Sequence, residues 1–168
     1  SLSSLNLPDT TITLAETVAA GAFTPPEAPG GRGGGGGDAA NAYKSLPAFC
    51  RVAATLKPTS DSDIKVEVWL PSKNWNGKLN GVGNGVWAGS ISYFEMASPP
   101  SRGYAVVATD TGHVGTGLDA GFAAGHPEKF IDFGYRAIHE MTVKAKALIS
   151  AYYKKSPAHS YWTSCSTG

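Results

Sequence analysis

Five residues at the end of the sequence have the spacing of a turn that carries a nucleophilic serine. They read Ser164-Cys165-Ser166-Thr167-Gly168, with a serine at the centre and a small residue two positions to either side. In the G-x-S-x-G pattern, the central serine lies on a sharp strand-to-helix turn whose strained backbone and close neighbours require small residues. Ser166 is therefore a candidate nucleophile for acyl transfer, with Ser164 in place of the first glycine.

Acyl transfer at a serine also needs backbone N–H groups that bind the charge developing on the carbonyl oxygen. In folds with this turn, one N–H comes from the residue after the nucleophile, here Thr167, and another from the loop after the third strand. The run from Gly81 to Gly85 follows a predicted strand and allows its backbone to approach a substrate closely. The same glycines also suit a tight turn with no catalytic role.

This loop also offers a different function. Gly83-Asn84-Gly85-Val86-Trp87-Ala88 fits the G-x-G-x-x-A pattern of dinucleotide-binding turns, and Asp110 ends the next apolar strand, where an acid would bind a ribose. The alternative function is therefore that of a nucleotide-dependent oxidoreductase. Two features disfavour it: Gly89 and Pro99-Pro100 leave room for only a short helix, and the preceding strands have an antiparallel pattern.

The histidines do not complete a catalytic or metal site by their spacing. Asp110 and His113 precede Ser166, whereas the acid and histidine of an α/β-hydrolase triad follow the serine along the chain. The segment from Asp110 to His113 is interpreted as a turn shaped by the aspartate side chain and the following glycine. His126 and His139 have no ligand-like partners at metal spacing, so a structural role is favoured for both.

Composition indicates a globular domain and excludes two kinds of partner. The chain has 168 residues, 42% hydrophobic and 16% charged, which is enough for one core of domain size. Its formal charge of +1, without a run of Lys or Arg, indicates no binding to nucleic acid or an anionic membrane. No apolar stretch approaches the roughly 20 residues of a membrane span. The first four residues do not have the pattern of a signal peptide.

The pattern of strands and helices predicts an α/β fold. Strands are predicted over residues 50–56, 64–70, 78–82, 104–109 and 160–163, and a long helix over 133–153, capped by Asp132 or a neighbour. The first two strands form an antiparallel hairpin, and the later strands are parallel with helices on both faces, as in an α/β-hydrolase sheet. Because no helix follows the last strand, the sheet is predicted to be incomplete in this chain.

Two segments are predicted along the chain. Residues 1–45 are polar and glycine-rich and are expected to pack on or flank the domain that residues 46–168 form. The tract from Gly33 to Gly37 predicts a flexible surface loop. A phosphate-binding role for this tract is disfavoured, because no strand precedes it and no Lys-Ser/Thr pair follows. By count alone, the two cysteines allow one bridge, two free thiols or bridges to other cysteines.

Six ordered motifs carry a family resemblance that extends from about Leu5 to the last residue. They are Phe49-Cys50-Arg51-Val52, Trp75-Asn76-Gly77-Lys78, Gly83-Asn84-Gly85, Ala108-Thr109-Asp110-Thr111-Gly112-His113, Asp132-Phe133-Gly134-Tyr135-Arg136-Ala137 and Cys165-Ser166-Thr167-Gly168. Together they resemble the tannase and feruloyl esterase family, which includes the mono(2-hydroxyethyl) terephthalate hydrolases. The resemblance implies a secreted or periplasmic α/β-hydrolase that cleaves carboxylic esters of aromatic acids, such as feruloyl, hydroxycinnamoyl or galloyl esters from plant cell walls and polyphenols.

The resemblance also assigns roles to individual residues. Ser166 becomes the nucleophile and Thr167 one oxyanion donor, with Asn84 or the adjacent Gly85 as the loop donor. It implies that Cys165 is bridged to a cysteine beside the catalytic histidine, and Cys50 to a cysteine upstream of the first residue. The two cysteines of this chain are then not partners of each other.

Other parts of the family's machinery would lie beyond the last residue of this chain. The resemblance implies that the triad acid, the histidine and a lid domain with a calcium site follow the nucleophile turn, so the 46–168 segment is a catalytic domain truncated after that turn. It implies no cofactor within these 168 residues, which are expected to be inactive alone. A non-catalytic module that binds carbohydrate or another surface is the third functional alternative.

Overall fold

The computed structural model describes residues 2–26 and 37–167. The strands in this part of the chain are β1 (Thr10–Val18), β2 (Phe49–Leu56), β3 (Ile64–Pro71), β4 (Lys78–Val82), β5 (Ala105–Thr109) and β6 (His159–Thr163). The helices are α1 (Gly37–Lys44), α2 (Tyr93–Ser101), α3 (Pro127–Ile131) and α4 (Ala137–Tyr153), with 3-10 turns at Leu2–Ser4 and Gly121–Ala123. A π-helical turn, Asp132–Arg136, joins α3 to α4.

These strands form one mixed sheet in the order β1-β2-β3-β5-β4-β6. The pairs β1–β2, β2–β3 and β3–β5 are antiparallel, whereas β4 is parallel to both β5 and β6. The predicted hairpin and the predicted parallel strands are therefore confirmed. Because Val82 is paired with Thr163, the loop after β4 and the turn after β6 emerge side by side at one edge of the sheet.

Helices cover both faces of the sheet, as the apolar run of β5 predicts. Val107 packs with Met141 of α4 on one face, whereas Val106 packs with Met96 of α2 on the other. All five residues of β5 are buried. Each face of the sheet therefore has its own apolar core, and β5 contributes to both.

Strand β1 lies in the segment for which the sequence predicts no regular element. It pairs with β2 from Thr10 opposite Leu56 to Val18 opposite Phe49, so this part of residues 1–45 belongs to the sheet itself. None of its residues is fully buried, as expected of an edge strand, and its threonines and glutamate give only a weak apolar alternation. Residues 33–36 of the glycine tract lie outside the described residues, and Gly37 begins α1.

The long helix is confirmed, but its predicted start is wrong. Its apolar stripe is buried at Ala137, Met141, Ala145, Leu148 and Ile149. Helical residues begin earlier, at Pro127, because proline is favoured in the first turn, where its missing N–H is not needed. Asp132 is consequently not an N-terminal cap: it lies inside the helical run with φ −57° and ψ −50°, fully buried and ion-paired with Arg136 at 3.0 Å.

Candidate active site

Ser166 lies on a tight turn directly after β6. Its φ is +63°, a left-handed conformation that costs a non-glycine residue about 1–3 kcal/mol and that clusters at functional sites. The residue is exposed. A strained serine after a parallel strand has the backbone that the nucleophile pattern requires. Gly168, the last position of that pattern, lies outside the described residues.

Three hydrogen bonds join this turn to the glycine loop after β4. The Gly83 amide donates to the Thr163 carbonyl at 3.1 Å. The Ser164 hydroxyl donates to the carbonyl of Asn84 at 3.3 Å, and the Thr167 hydroxyl donates to the carbonyl of Val86 at 2.9 Å. The structure therefore brings the candidate nucleophile turn and the candidate oxyanion loop together, although they are more than 75 residues apart in sequence.

Gly83 permits this approach because it has no side chain. A Cβ at this position would lie 2.3 Å from Ser164 Oγ and 2.7 Å from Trp162 Cζ2. At Gly85, in contrast, the nearest atom to an added Cβ is the Cys165 carbonyl oxygen, at 4.0 Å. The requirement for glycine at position 83 thus comes from the turn after β6 and not from a positive φ.

The side chain of Asn84 stabilises the loop from within. Its Nδ2 group donates to the carbonyls of Ala88, at 3.2 Å, and Ser90, at 2.8 Å. A donation from Asn84 to a substrate oxygen would therefore use the backbone N–H, as the oxyanion pattern requires. Val86, two residues later, has a φ of +48°, which is rare for a β-branched residue.

The turn after β5 has the structure that its sequence predicts. Asp110 Oδ1 accepts hydrogen bonds from the amides of Lys65 and Gly112, both at 2.9 Å, and Gly112 has a φ of +88°. Burial raises the pKa of the Asp110 carboxyl to about 7, against the opposing effect of these hydrogen bonds. Because Asp110 is only 5% exposed, the ribose-binding role of the dinucleotide alternative has no support here.

His113 contacts the glycine loop, a contact that no motif in the sequence predicts. Its Nε2 lies 2.9 Å from the carbonyl oxygen of Trp87, and its ring stacks on Phe122 with centroids 3.6 Å apart. Burial lowers the pKa of His113 and favours a neutral imidazole. Two other histidines lie elsewhere: His126 pairs with Asp61 at 2.9 Å, and His139 is exposed on α4. The only sequence signal for this contact is that β5, which precedes His113, is a central strand.

A cavity of about 1060 Å³ opens beside the loop and the turn. Loop residues Asn84 and Gly85 line it, together with Ser164 and Cys165, whereas Ser166 is not among the lining residues. The lining also includes aromatic residues from three different segments, namely Phe23, Tyr43, Tyr93 and Phe94. These rings come from separate segments without a shared motif, so the sequence does not predict that they line one cavity.

A buried carboxylate holds one of these rings in place. Glu67 is 3% exposed and accepts hydrogen bonds from the Tyr93 hydroxyl at 2.8 Å and from Trp69 Nε1 at 2.9 Å. It also pairs with Arg51 through both carboxylate oxygens, with Nε at 3.0 Å. Burial, and then the charge of Glu67, raise the pKa of Tyr93 far above its ordinary value. The tyrosine is therefore a fixed, neutral donor at the cavity wall.

No disulfide joins the two cysteines in the part of the chain that the structure describes. Cys50 and Cys165 are both free thiols and are not bonded to each other. Within residues 2–26 and 37–167, no group of three or more His, Cys, Asp or Glu side chains is placed to hold a metal ion. No helix in the same residues is both long and apolar enough to cross a membrane.

The strand order and directions, with helices on both faces, define the chain as part of an α/β-hydrolase sheet. Residues 50–168 match the family described as tannase and feruloyl esterase. The chain belongs to this family.

Several relatives support this assignment. An uncharacterised esterase of Xanthomonas campestris is 43% identical over 167 residues, which are 99% of this chain and 27% of that protein. A probable feruloyl esterase B-1 of Aspergillus fumigatus is 37% identical over 134 residues, which are 79% of this chain and 24% of that protein. The chain thus spans about a quarter of the length of these curated relatives.

Solved structures agree with the sheet topology. Feruloyl esterase B from Aspergillus oryzae matches with a TM-score of 0.84 and 30% identity, over 98% of this chain and 30% of its own. Tannin acyl hydrolase from Aspergillus niger matches with a TM-score of 0.66 over 96% of this chain and 30% of its own, but at 21% identity it shows a shared fold only.

Proposed function

We propose that this chain supplies the nucleophile and the oxyanion donors of a serine carboxylic-ester hydrolase that acts on esters of aromatic acids. The observation that carries the proposal is the left-handed backbone of Ser166 at the end of β6, next to the loop after β4. The names of the relatives support the substrate class, since feruloyl esters are esters of an aromatic acid. Feruloyl, other hydroxycinnamoyl or galloyl esters from plant cell walls and polyphenols are the proposed substrates.

In the proposed reaction, Ser166 Oγ attacks the ester carbonyl and forms an acyl-enzyme. The negative charge on the carbonyl oxygen is bound by the backbone N–H of Thr167 and by that of Asn84 or Gly85. A histidine removes the serine proton and then protonates the leaving alcohol, and water releases the aromatic acid. By the family resemblance, this histidine and its acid lie outside the 168 residues, so the 168 residues alone are expected to be inactive.

The same resemblance adds four proposals about the whole protein. A disulfide would join Cys165 to a cysteine beside the catalytic histidine, and a second would join Cys50 to a cysteine upstream. Both bridges are compatible with the absence of a bond between the two thiols here. A calcium ion would belong to a lid domain, and the protein would be secreted or periplasmic.

Covalent labelling tests the nucleophile. A fluorophosphonate is expected to label full-length protein on Ser166, and Ser166→Ala is expected to abolish both labelling and hydrolysis of a feruloyl ester, with a loss of about 10⁴-fold or more in kcat. Ser164→Ala is the matched control for labelling alone, because Ser164 is an exposed serine on the same turn, whereas its bond to the Asn84 carbonyl means that the rate of hydrolysis is not compared. Labelling that survives Ser166→Ala would contradict the proposal. An unlabelled wild-type protein would favour the non-catalytic binding module, or the oxidoreductase if it binds a dinucleotide.

A further inference from the structure

We propose that His113 is a positioning residue for the oxyanion loop, and this inference rests on the proposed function. The imidazole fixes the Trp87 carbonyl and thereby sets the orientation of the backbone N–H groups at Asn84 and Gly85. Within the described residues, the hydrogen bonds and ring contacts of His113 do not extend to the proposed nucleophile turn. Its effect on the reaction passes through the loop backbone.

The contact geometry defines the direction of this hydrogen bond. A carbonyl oxygen only accepts, so Nε2 of His113 carries the hydrogen and donates it to Trp87 O over 2.9 Å. The ring is 6% exposed and lies flat against Phe122, with an interplanar angle of 11°. Phe133 packs on the ring in a T-shaped arrangement, with a centroid distance of 5.8 Å. The donor is therefore held in one orientation by the packing of the ring against Phe122 and Phe133.

The segment after His113 also forms backbone hydrogen bonds with the loop after β4. Gly89 and Gly115 exchange two backbone hydrogen bonds, at 3.2 and 3.4 Å, and the Trp87 amide donates to the Gly117 carbonyl at 3.3 Å. Trp87 is thus held at both its N–H and its C=O.

Strain in the loop explains why such a support is needed. Val86 keeps a left-handed φ of +48°, and a conformation of that kind persists only when its surroundings over-determine it. The Val86 carbonyl is held by Thr167 on one side, and the following residue is held by His113 on the other. Without the His113 donor, we expect the peptide between Val86 and Trp87 to relax and the N–H groups of the two preceding residues to lose their alignment.

Substitutions of His113 in full-length protein test the inference. His113→Leu fills the space without a donor, whereas His113→Gln places an amide N–H near the Nε2 position. With a feruloyl ester, His113→Leu is expected to lower kcat about 10- to 100-fold with KM changed less than about threefold, because misplaced oxyanion donors weaken transition-state binding. His113→Gln is expected to recover most of the loss. His139→Leu, on an exposed face of α4, is the control.

Substitutions of Gly89 and Gly115 test the contact between His113 and the loop independently. A Cβ on Gly89 would lie 2.5 Å from His113 Cδ2 and 2.6 Å from the His113 carbonyl oxygen, whereas a Cβ on Gly115 would meet nothing closer than 3.7 Å. Gly89→Ala is therefore expected to lower kcat as His113→Leu does, and Gly115→Ala to leave it near the wild-type value. If His113→Leu does not fold, the comparison of Gly89→Ala with Gly115→Ala tests the positioning role of His113.

The outcomes separate this inference from the proposed function. If wild-type protein is not labelled on Ser166, the proposed function fails. If labelling occurs but His113→Leu keeps kcat within about twofold, or if His113→Gln is as impaired as His113→Leu, the positioning role is wrong. Failure of both His113→Leu and Gly89→Ala to fold, judged by circular dichroism and thermal unfolding, would also overturn it, because the histidine would then be a folding residue only.

Discussion

The hydroxyl of Thr167 donates a hydrogen bond to the carbonyl of Val86 over 2.9 Å. Thr167 follows the proposed nucleophile, and Val86 follows the proposed loop donors. This bond therefore joins the two halves of the oxyanion site directly. The two parallel strands before them, β6 and β4, are already paired. The relative position of serine and loop is therefore set by the sheet and by the side-chain bonds of Ser164 and Thr167.

The contact at Gly83 predicts a specific loss of stability. Gly83→Ala places a Cβ against Ser164 and Trp162 and is expected to cost about 1–3 kcal/mol, the range for overpacking a filled site. Gly85→Ala, where the nearest atom is 4.0 Å away, is expected to change stability little. Thermal unfolding of the two variants beside wild type measures the difference. Equal melting temperatures for Gly83→Ala and wild type would show that the turn and the loop are not in contact.

Asp110 predicts a pH dependence of stability. Its pKa is about 7 in the folded protein, above the ordinary value of 3.8, because it is buried. Between these two values the folded state holds a proton that the unfolded state has released, so its contribution to stability is full below about pH 4. That contribution falls by up to about 1.4 kcal/mol per pH unit as the pH rises towards 7.

The variant Asp110→Asn isolates this effect, because its amide oxygen still accepts from Lys65 and Gly112 but does not ionise in this range. We expect the stability difference between wild type and Asp110→Asn to change between pH 4 and 7, with wild type losing more as the pH rises. Denaturant unfolding at a series of pH values gives the two curves. Parallel curves would contradict the raised pKa.

The buried pair of Arg51 and Glu67 predicts an asymmetric response to substitution. Arg51→Met leaves the Glu67 carboxylate, 3% exposed, without its cation and is expected to cost about 3–5 kcal/mol. Adding Glu67→Gln to Arg51→Met is expected to recover part of that loss, because the charge is then removed as well. The exposed pair of Lys65 and Asp63 is the comparison, and Lys65→Met is expected to cost at most about 1 kcal/mol. Similar effects for Arg51→Met and Lys65→Met in denaturant unfolding would refute the buried-pair argument.

Local sequence patterns are sufficient to predict the strands and helices whose apolar residues recur with a single period. The alternation of Ile64 to Leu70 and the apolar run of β5 predicted their strands, and the stripe from Ala137 to Ile149 predicted α4. Strand β1 was missed because its alternation is weak and its place in the sheet depends on β2. The start of the long helix was missed because the π turn breaks the period of 3.6 on which the pattern depends.

The residues of the candidate site also fall into two groups, those that the sequence predicts and those that it does not. Ser166 and Gly83–Gly85 stand in short motifs, so their types and spacing are enough to indicate acyl-transfer chemistry. The His113 contact with Trp87 and the ring of Tyr93 at the cavity wall depend on which strands are neighbours. Such contacts join residues from separate loops, and no local spacing contains them.

The π turn between α3 and α4 changes the direction in which the side chains of this continuous helical segment point. A π turn holds one extra residue, which rotates the helix after it by about 100° relative to an unbroken α-helix. Before the turn, Lys129 reaches the Gly112 carbonyl at 3.3 Å; after it, Met141 and Ala145 face the sheet. Because of this rotation, the helix before the π turn can direct a side chain to the residue preceding His113, while the helix after it directs its apolar face to the sheet.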